Sequence, residues 1–206
     1  GCGVKRVIVL VIGTGMYVCG RGTPQYGTIL PALCEWSKAH ELGDVWVVGS
    51  DPMGAQQARE KIEALQRRMG SDLTVRVLPN GTRPDPTAYR QAIAEAPRPA
   101  CAIVAVPDVL HRQMAGAALE GGLHTLVVKP RAPTVKEVQE LIELQQRMQR
   151  YGAVEFHKRL DRANLSLRDT IHEGSLGELL YALVQYSQRK SVPAEHFRKW
   201  VEGTNC

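Results

Sequence analysis

Residues 4–12 (VKRVIVLVI) form a run of β-branched and aliphatic side chains that stops at Gly13. Continuous rather than alternating hydrophobicity predicts a strand covered on both faces. Runs of the same kind at 45–48, 101–106 and 125–128 predict three more strands, and 73–78 a weaker, alternating one. Helical spacing fills the intervals. In 55–69, Ala58, Ile62 and Leu65 share one stripe, opposite Arg59, Glu60, Lys61 and Arg67. Segments 110–119 and 135–148 carry the same period, the second through Val135, Val138, Leu141 and Ile142.

Strand alternating with helix predicts βαβ units, a parallel sheet and right-handed crossovers. The fold class expected is α/β, a Rossmann-type doubly wound parallel sheet over about residues 1–130, with a covering helix to about 150. After that the rhythm changes. A short strand is expected at 152–156 and a helix at 161–172 with Asp161 as its N-cap. A turn at Gly174 and Gly177 leads to a half-buried, alternating strand at 179–187. Strand, helix and strand are too little for a closed core in so short a piece. The division expected is 1–150 as one domain and 151–206 as the beginning of an α+β domain with an antiparallel sheet.

Composition narrows the class. The chain has 206 residues, 44% of them hydrophobic, and a formal charge of +5. That charge is spread without a basic block and only 5% of residues are aromatic, so a nucleic-acid partner is not expected. No apolar run is long enough for a bilayer, and no charged head with an apolar middle opens the sequence. Neither a membrane partner nor secretion is expected, and a cytoplasmic location is. The five cysteines are odd in number and form no C-x-x-C pair, and neither His40-Glu41 nor His172-Glu173 continues into H-E-x-x-H. No metal site is expected.

Candidate chemistry begins at the end of the first strand, in Gly13-Thr14-Gly15-Met16-Tyr17-Val18. Gly13 and Gly15 fill the first two places of the dinucleotide fingerprint, one for a tight turn and one for close approach to a pyrophosphate. Val18 occupies the third place, and glycines 20, 22 and 27 extend the loop toward a helix near Thr28. A plain turn is the competing reading. A P-loop is excluded, because Arg21 and Gly22 stand where the lysine and hydroxyl are required. Asp51, after the second strand, is the candidate for the ribose hydroxyls, or else simply the cap of the helix that begins at Pro52. It lies beyond the roughly 20 residues the fingerprint allows, which points to an insertion at 17–27. Tyr17, Arg21 and Tyr26 in that insertion either reach the site or belong to a surface loop. An aspartate repels a 2′-phosphate, so NAD is the expected cofactor, with NADP not excluded.

Farther on, Ala105-Val106-Pro107-Asp108-Val109-Leu110-His111 is followed by Ala117-Ala118-Leu119-Glu120-Gly121-Gly122-Leu123-His124 and by Val127-Val128-Lys129-Pro130. Residues 154–160 (VEFHKRL) and 171–179 (IHEGSLGEL) continue the series. In this order the segments resemble the glucose–fructose oxidoreductase / inositol dehydrogenase family (Gfo/Idh/MocA). The resemblance implies an NAD(P)-dependent oxidoreductase acting on a sugar, polyol or related hydroxyl compound. It makes 151–206 the opening of a substrate domain through which the protein forms a homo-oligomer. It makes Lys129 the catalytic residue, beside nicotinamide and substrate oxygen, where the alternative is an exposed lysine at a strand end. Cofactor contacts are expected from Gly13, Thr14, Gly15, Met16, Asp51, Val106, Pro107, His111, Lys129 and Pro130. His111 reads equally as an ordinary first-turn helix residue.

Two departures stand out. Val128 replaces the glutamate of the family's Glu-Lys-Pro, and the chain ends before the second-domain histidine motif. A non-catalytic dinucleotide-binding or regulatory protein of the same fold is therefore the rival reading.

Overall fold

A computed structural model describes residues 6–187. Strand β1 (Val7–Ile12) runs into a single helical turn, α1 (Met16–Cys19), and after a loop into α2 (Ile29–Ser37). Then come β2 (Leu42–Val48), α3 (Pro52–Met69), β3 (Val75–Leu78), α4 (Ala88–Glu95) and β4 (Ala100–Val104). A short 3₁₀ turn leads to α5 (His111–Glu120), followed by β5 (His124–Val128), α6 (Val135–Arg147) and β6 (Gly152–Glu155). The sheet order is β3-β2-β1-β4-β5-β6, and β1 pairs in parallel with both β2 and β4. The order reverses between β1 and β4, the switch point at which ligands of open α/β sheets bind.

The unbroken hydrophobicity of β1 follows from this topology. Successive side chains of a strand point to opposite faces. Val9 and Val11 pack with Ile29, Leu30, Ile62 and Leu65 on one side of the sheet. Leu10 and Ile12 pack with Ile93, Leu119, Leu141 and Leu144 on the other. Each face is closed by helices, so neither can be polar.

The elements are bounded by local chemistry. Asp51 caps α3 by accepting the Gly54 N–H at 2.7 Å, and Pro52 follows as first helical residue. Thr134 and Glu137 form a reciprocal capping box on α6. Arg112 on α5 and Glu140 on α6 form an ion pair at 2.8 Å.

The chain divides into two compact units, 1–154 and 155–206. The strand expected to open the second domain instead stands in the sheet of the first, as β6. Tyr151, just ahead of it, accepts the Thr125 N–H of β5 at 2.9 Å. In the second unit, a 3₁₀ turn (His157–Leu160) precedes α7 (Arg162–His172), which Asp161 caps through the Ala163 N–H at 3.0 Å. Residues 179–187 are exposed and form no strand, against the expectation from their alternation. Alternation supplies a face, but a strand also needs a neighbour for its backbone groups, and the described residues offer none.

Candidate functional site

The parallel registers place Ile12, Val48, Val104 and Val127 level with one another, so the loops that follow share one edge of the sheet. Along that edge, residues 49–51 lie one strand spacing to one side of 13–15. Residues 105–107 and then 128–130 lie on the other side, at about 5 Å per step.

Gly13 turns the chain at φ +129°, and a Cβ there would lie 2.1 Å from the Ala105 carbonyl oxygen. Any side chain would therefore collide with the β4 loop while adopting a backbone that L-residues avoid. Gly15 is different in kind. Its φ is −83°, open to any residue, and a Cβ would have no atom of the described residues within 4 Å. Neither strain nor packing inside the chain asks for glycine at 15. What its missing Cβ leaves is bare backbone facing open space at the switch point, the surface a pyrophosphate needs. The turn itself is well held. Thr14 is buried against Gly49, where an added Cβ would lie 2.9 Å from its Oγ1. The Thr14 carbonyl accepts from Arg21 Nε at 2.9 Å and from Cys19 Sγ at 3.6 Å. Burial pushes the Cys19 thiol up, outweighing the pull of Arg21 and Lys61, so it serves the turn as a protonated donor.

The helix after this turn departs from the usual pattern. A single turn ends at Gly20, whose left-handed backbone starts the inserted loop. This loop is built rather than loose. Thr28 N–H bonds to the Tyr17 carbonyl at 2.8 Å, and Lys61 Nζ to the Thr23 carbonyl at 2.8 Å. Tyr26 lies under the Lys61 ammonium, 4.8 Å from its ring centroid, and so faces α3. Tyr17 packs with the core on the same side of the sheet. Arg21, singled out from sequence with these two tyrosines, reaches the glycine turn through its bond to the Thr14 carbonyl.

Asp51 is exposed, and capping engages Oδ2 alone, which leaves Oδ1 for another donor. Cap and ribose partner, alternatives in the sequence, are thus compatible in one carboxylate. Met16 and Pro107 are exposed at the rim.

His111 is only 1% exposed. Its Nδ1 meets the Pro130 carbonyl at 2.6 Å and its Nε2 the Val106 carbonyl at 2.8 Å. Both ring nitrogens are therefore occupied within the protein, tying the loop after β4 to the loop after β5. Sequence spacing placed His111 at a helix start but held no signal for this cross-link. Lys129 and Pro130 follow β5, joined by a cis peptide bond. Lys129 is exposed, and among the described residues its ammonium has no acceptor. Val128 is 8% exposed and packs with the core, so its side chain does not stand beside that ammonium in solvent.

Residues 8–156 match the family described as GFO_IDH_MocA, oxidoreductase family, NAD-binding Rossmann fold. The chain belongs to this family. Inositol 2-dehydrogenase of Corynebacterium glutamicum (strain R) is 30% identical over 149 residues, covering 66% of the chain and 43% of that protein. D-glucoside 3-dehydrogenase of Escherichia coli (strain K12) is 29% identical over 103 residues, covering 50% of the chain and 29% of that protein. The chain thus spans less than half the length of these relatives. Among solved structures, myo-inositol 2-dehydrogenase from Lactobacillus plantarum superposes with a TM-score of 0.58 at 17% identity, covering 86% of the chain and 44% of that one. This Gfo/Idh/MocA chain therefore carries an NAD-binding Rossmann fold whose glycine turn, Asp51 and Lys129 share one sheet edge. No helix among the described residues is long and apolar enough to cross a membrane.

Proposed function

We propose that the chain is the cofactor-binding part of an NAD(P)-dependent dehydrogenase or reductase for a sugar, polyol or related hydroxyl compound. In this reading residues 1–154 bind the dinucleotide and 155–206 open the substrate and oligomerisation domain. The observation that carries it is the order of parts along the sheet edge. A carboxylate oxygen stands at 51, bare backbone at Gly15 and an unengaged ammonium at 129. That is the order of ribose, pyrophosphate and nicotinamide in a dinucleotide laid across the switch point.

When bound there, the nicotinamide supplies hydride transfer. The chain's own residues do the rest. The N–H groups of 14–16 receive the pyrophosphate, with less help from a helix dipole than usual because α1 is one turn long. Asp51 Oδ1 accepts from the ribose. His111 holds Val106 and Pro130 at fixed separation, which sets the mouth next to Lys129. The Lys129 ammonium stabilises alkoxide character on the substrate oxygen or passes it a proton. The test is turnover of a panel of sugars and polyols by the intact protein with either nicotinamide dinucleotide. Lys129→Ala is expected to abolish turnover and keep cofactor affinity. Val128 favours the second reading, a dinucleotide-binding protein without chemistry, since Lys129 lacks the neighbouring glutamate of the family pattern. Absence of turnover with intact dinucleotide binding would decide for that reading.

A further inference from the structure

Arg21 belongs to the loop inserted between α1 and α2, yet its guanidinium sits at the meeting point of three segments. Nε donates to the Thr14 carbonyl at 2.9 Å, which fixes the plane of the group against the glycine turn. The guanidinium lies over Gly54 in the first turn of α3. A Cβ at that residue would be 3.3 Å from Arg21 Nη1, 3.4 Å from Cζ and 3.3 Å from Asp51 Oδ2. Glycine at 54 therefore provides the seat for Arg21 beside Asp51. No ion pair joins Arg21 to Asp51, and among the described residues Nη1 and Nη2 donate to no acceptor. A half-buried guanidinium, anchored through one nitrogen and with its fork unspent, is pre-organised for a bidentate anion.

On the reading proposed above, the ribose of the adenosine faces Asp51 Oδ1. The group next to that carboxylate then faces the 2′ position. With a free 2′-hydroxyl, Asp51 accepts and Arg21 stands aside. With a 2′-phosphate, Asp51 repels and the two Nη groups attract, as an arginine does in NADP-binding Rossmann sites. We infer that Arg21 is the cofactor-selecting residue of this chain: it receives the 2′-phosphate, so that NADP(H) is accepted as well as NAD(H) despite Asp51. This revises the preference that Asp51 alone implies. The pair Asp51 and Arg21 reads the 2′ substituent from both sides.

The inference rests on the dinucleotide reading of the site, and one experiment separates the two. NADH and NADPH are titrated by fluorescence into the full chain, the wild type beside Arg21→Gln, Arg21→Lys and Asp51→Asn, with thermal melts confirming that each variant folds. Asparagine caps as well as aspartate, so Asp51→Asn should keep α3 intact. The wild type is expected to bind both cofactors. Arg21→Gln should weaken NADPH on the order of 30-fold and NADH less than about threefold. Arg21→Lys should recover part of the NADPH affinity, because it keeps the charge while losing the Nε bond to Thr14. Asp51→Asn should weaken NADH and leave NADPH equal or tighter. Equal losses of both cofactors in Arg21→Gln would overturn the inference and make Arg21 a brace for the glycine turn. Binding of NADH without NADPH by the wild type would overturn it while leaving the dinucleotide site standing. Binding of neither would overturn the site itself.

Discussion

Alanine at Gly13 and alanine at Gly15 should have opposite consequences. At Gly13 the added Cβ lies 2.1 Å from the Ala105 carbonyl oxygen, and the backbone sits at φ +129°. Strain at such a φ costs about 1–3 kcal/mol, and overpacking against backbone adds about 1–3 kcal/mol. A loss of about 2–6 kcal/mol follows, a large share of the roughly 5–15 kcal/mol that holds a domain together. At Gly15 the φ of −83° suits alanine and nothing lies within 4 Å. Removing glycine's freedom in the unfolded chain then stabilises by about 0.4–1 kcal/mol, or a few degrees of melting temperature at this chain length. The same Cβ stands where the pyrophosphate must approach, so NADH affinity should fall by about tenfold or more. Thermal melts and NADH titrations on both variants check the pair. Gly15→Ala that melts at or above the wild type and fails to bind NADH fits. Gly15→Ala that binds NADH normally would refute the assignment of the open space to the cofactor, and one that melts well below the wild type would refute the packing argument.

Replacing His111 by leucine removes the ring N–H from the half-buried space between the Val106 and Pro130 carbonyls and leaves at least one of them without its donor, at about 1–3 kcal/mol. The melting temperature should fall by roughly 2–12 °C; an unchanged melting temperature would show that the cross-link carries little. Asp85 stands two residues ahead of Thr87, the N-cap of α4, and accepts from the Thr87 hydroxyl and N–H at 2.8 Å each; these bonds hold its carboxyl below the ordinary 3.8. Its contribution is complete above the unfolded value and is lost as pH falls through the lowered folded value. Asp85→Asn should therefore remove part of the stability loss seen below pH 3.8, and acid unfolding curves that superpose on the wild type would contradict it. Burial raises the Cys101 thiol as it does Cys19, so both should alkylate slowly in the folded chain at pH 8 and rapidly in denaturant.

Much of the fold was legible because two-sided burial writes itself as continuous apolar runs: β1, β2, β4 and β5 all read that way. Other elements left weaker marks. Helix α4 escaped, since half of its buried stripe of Ala88, Tyr89, Ala92 and Ile93 is alanine, which a hydrophobic period barely registers. Helix α1 escaped because four residues hold no period at all. Strand β6 was legible as a strand but not as part of the first sheet, because pairing with β5 is a long-range fact. In the site, Gly13, Gly15, Asp51 and Lys129 were readable from type and position after their strands. The seat of Arg21 over Gly54 and the double tie of His111 were not, since both depend on residues brought together only by the crossovers.

On the proposed function, a nicotinamide dinucleotide lies across the carboxyl ends of β2, β1, β4 and β5. Backbone amide shifts of the ¹⁵N-labelled chain on addition of NADH test it most directly. Saturable shifts are expected in 13–16, 49–51, 105–108 and 128–131. None are expected in 37–44 and 72–74, at the opposite end of the sheet. Shifts confined to that opposite end, or none anywhere, would contradict it.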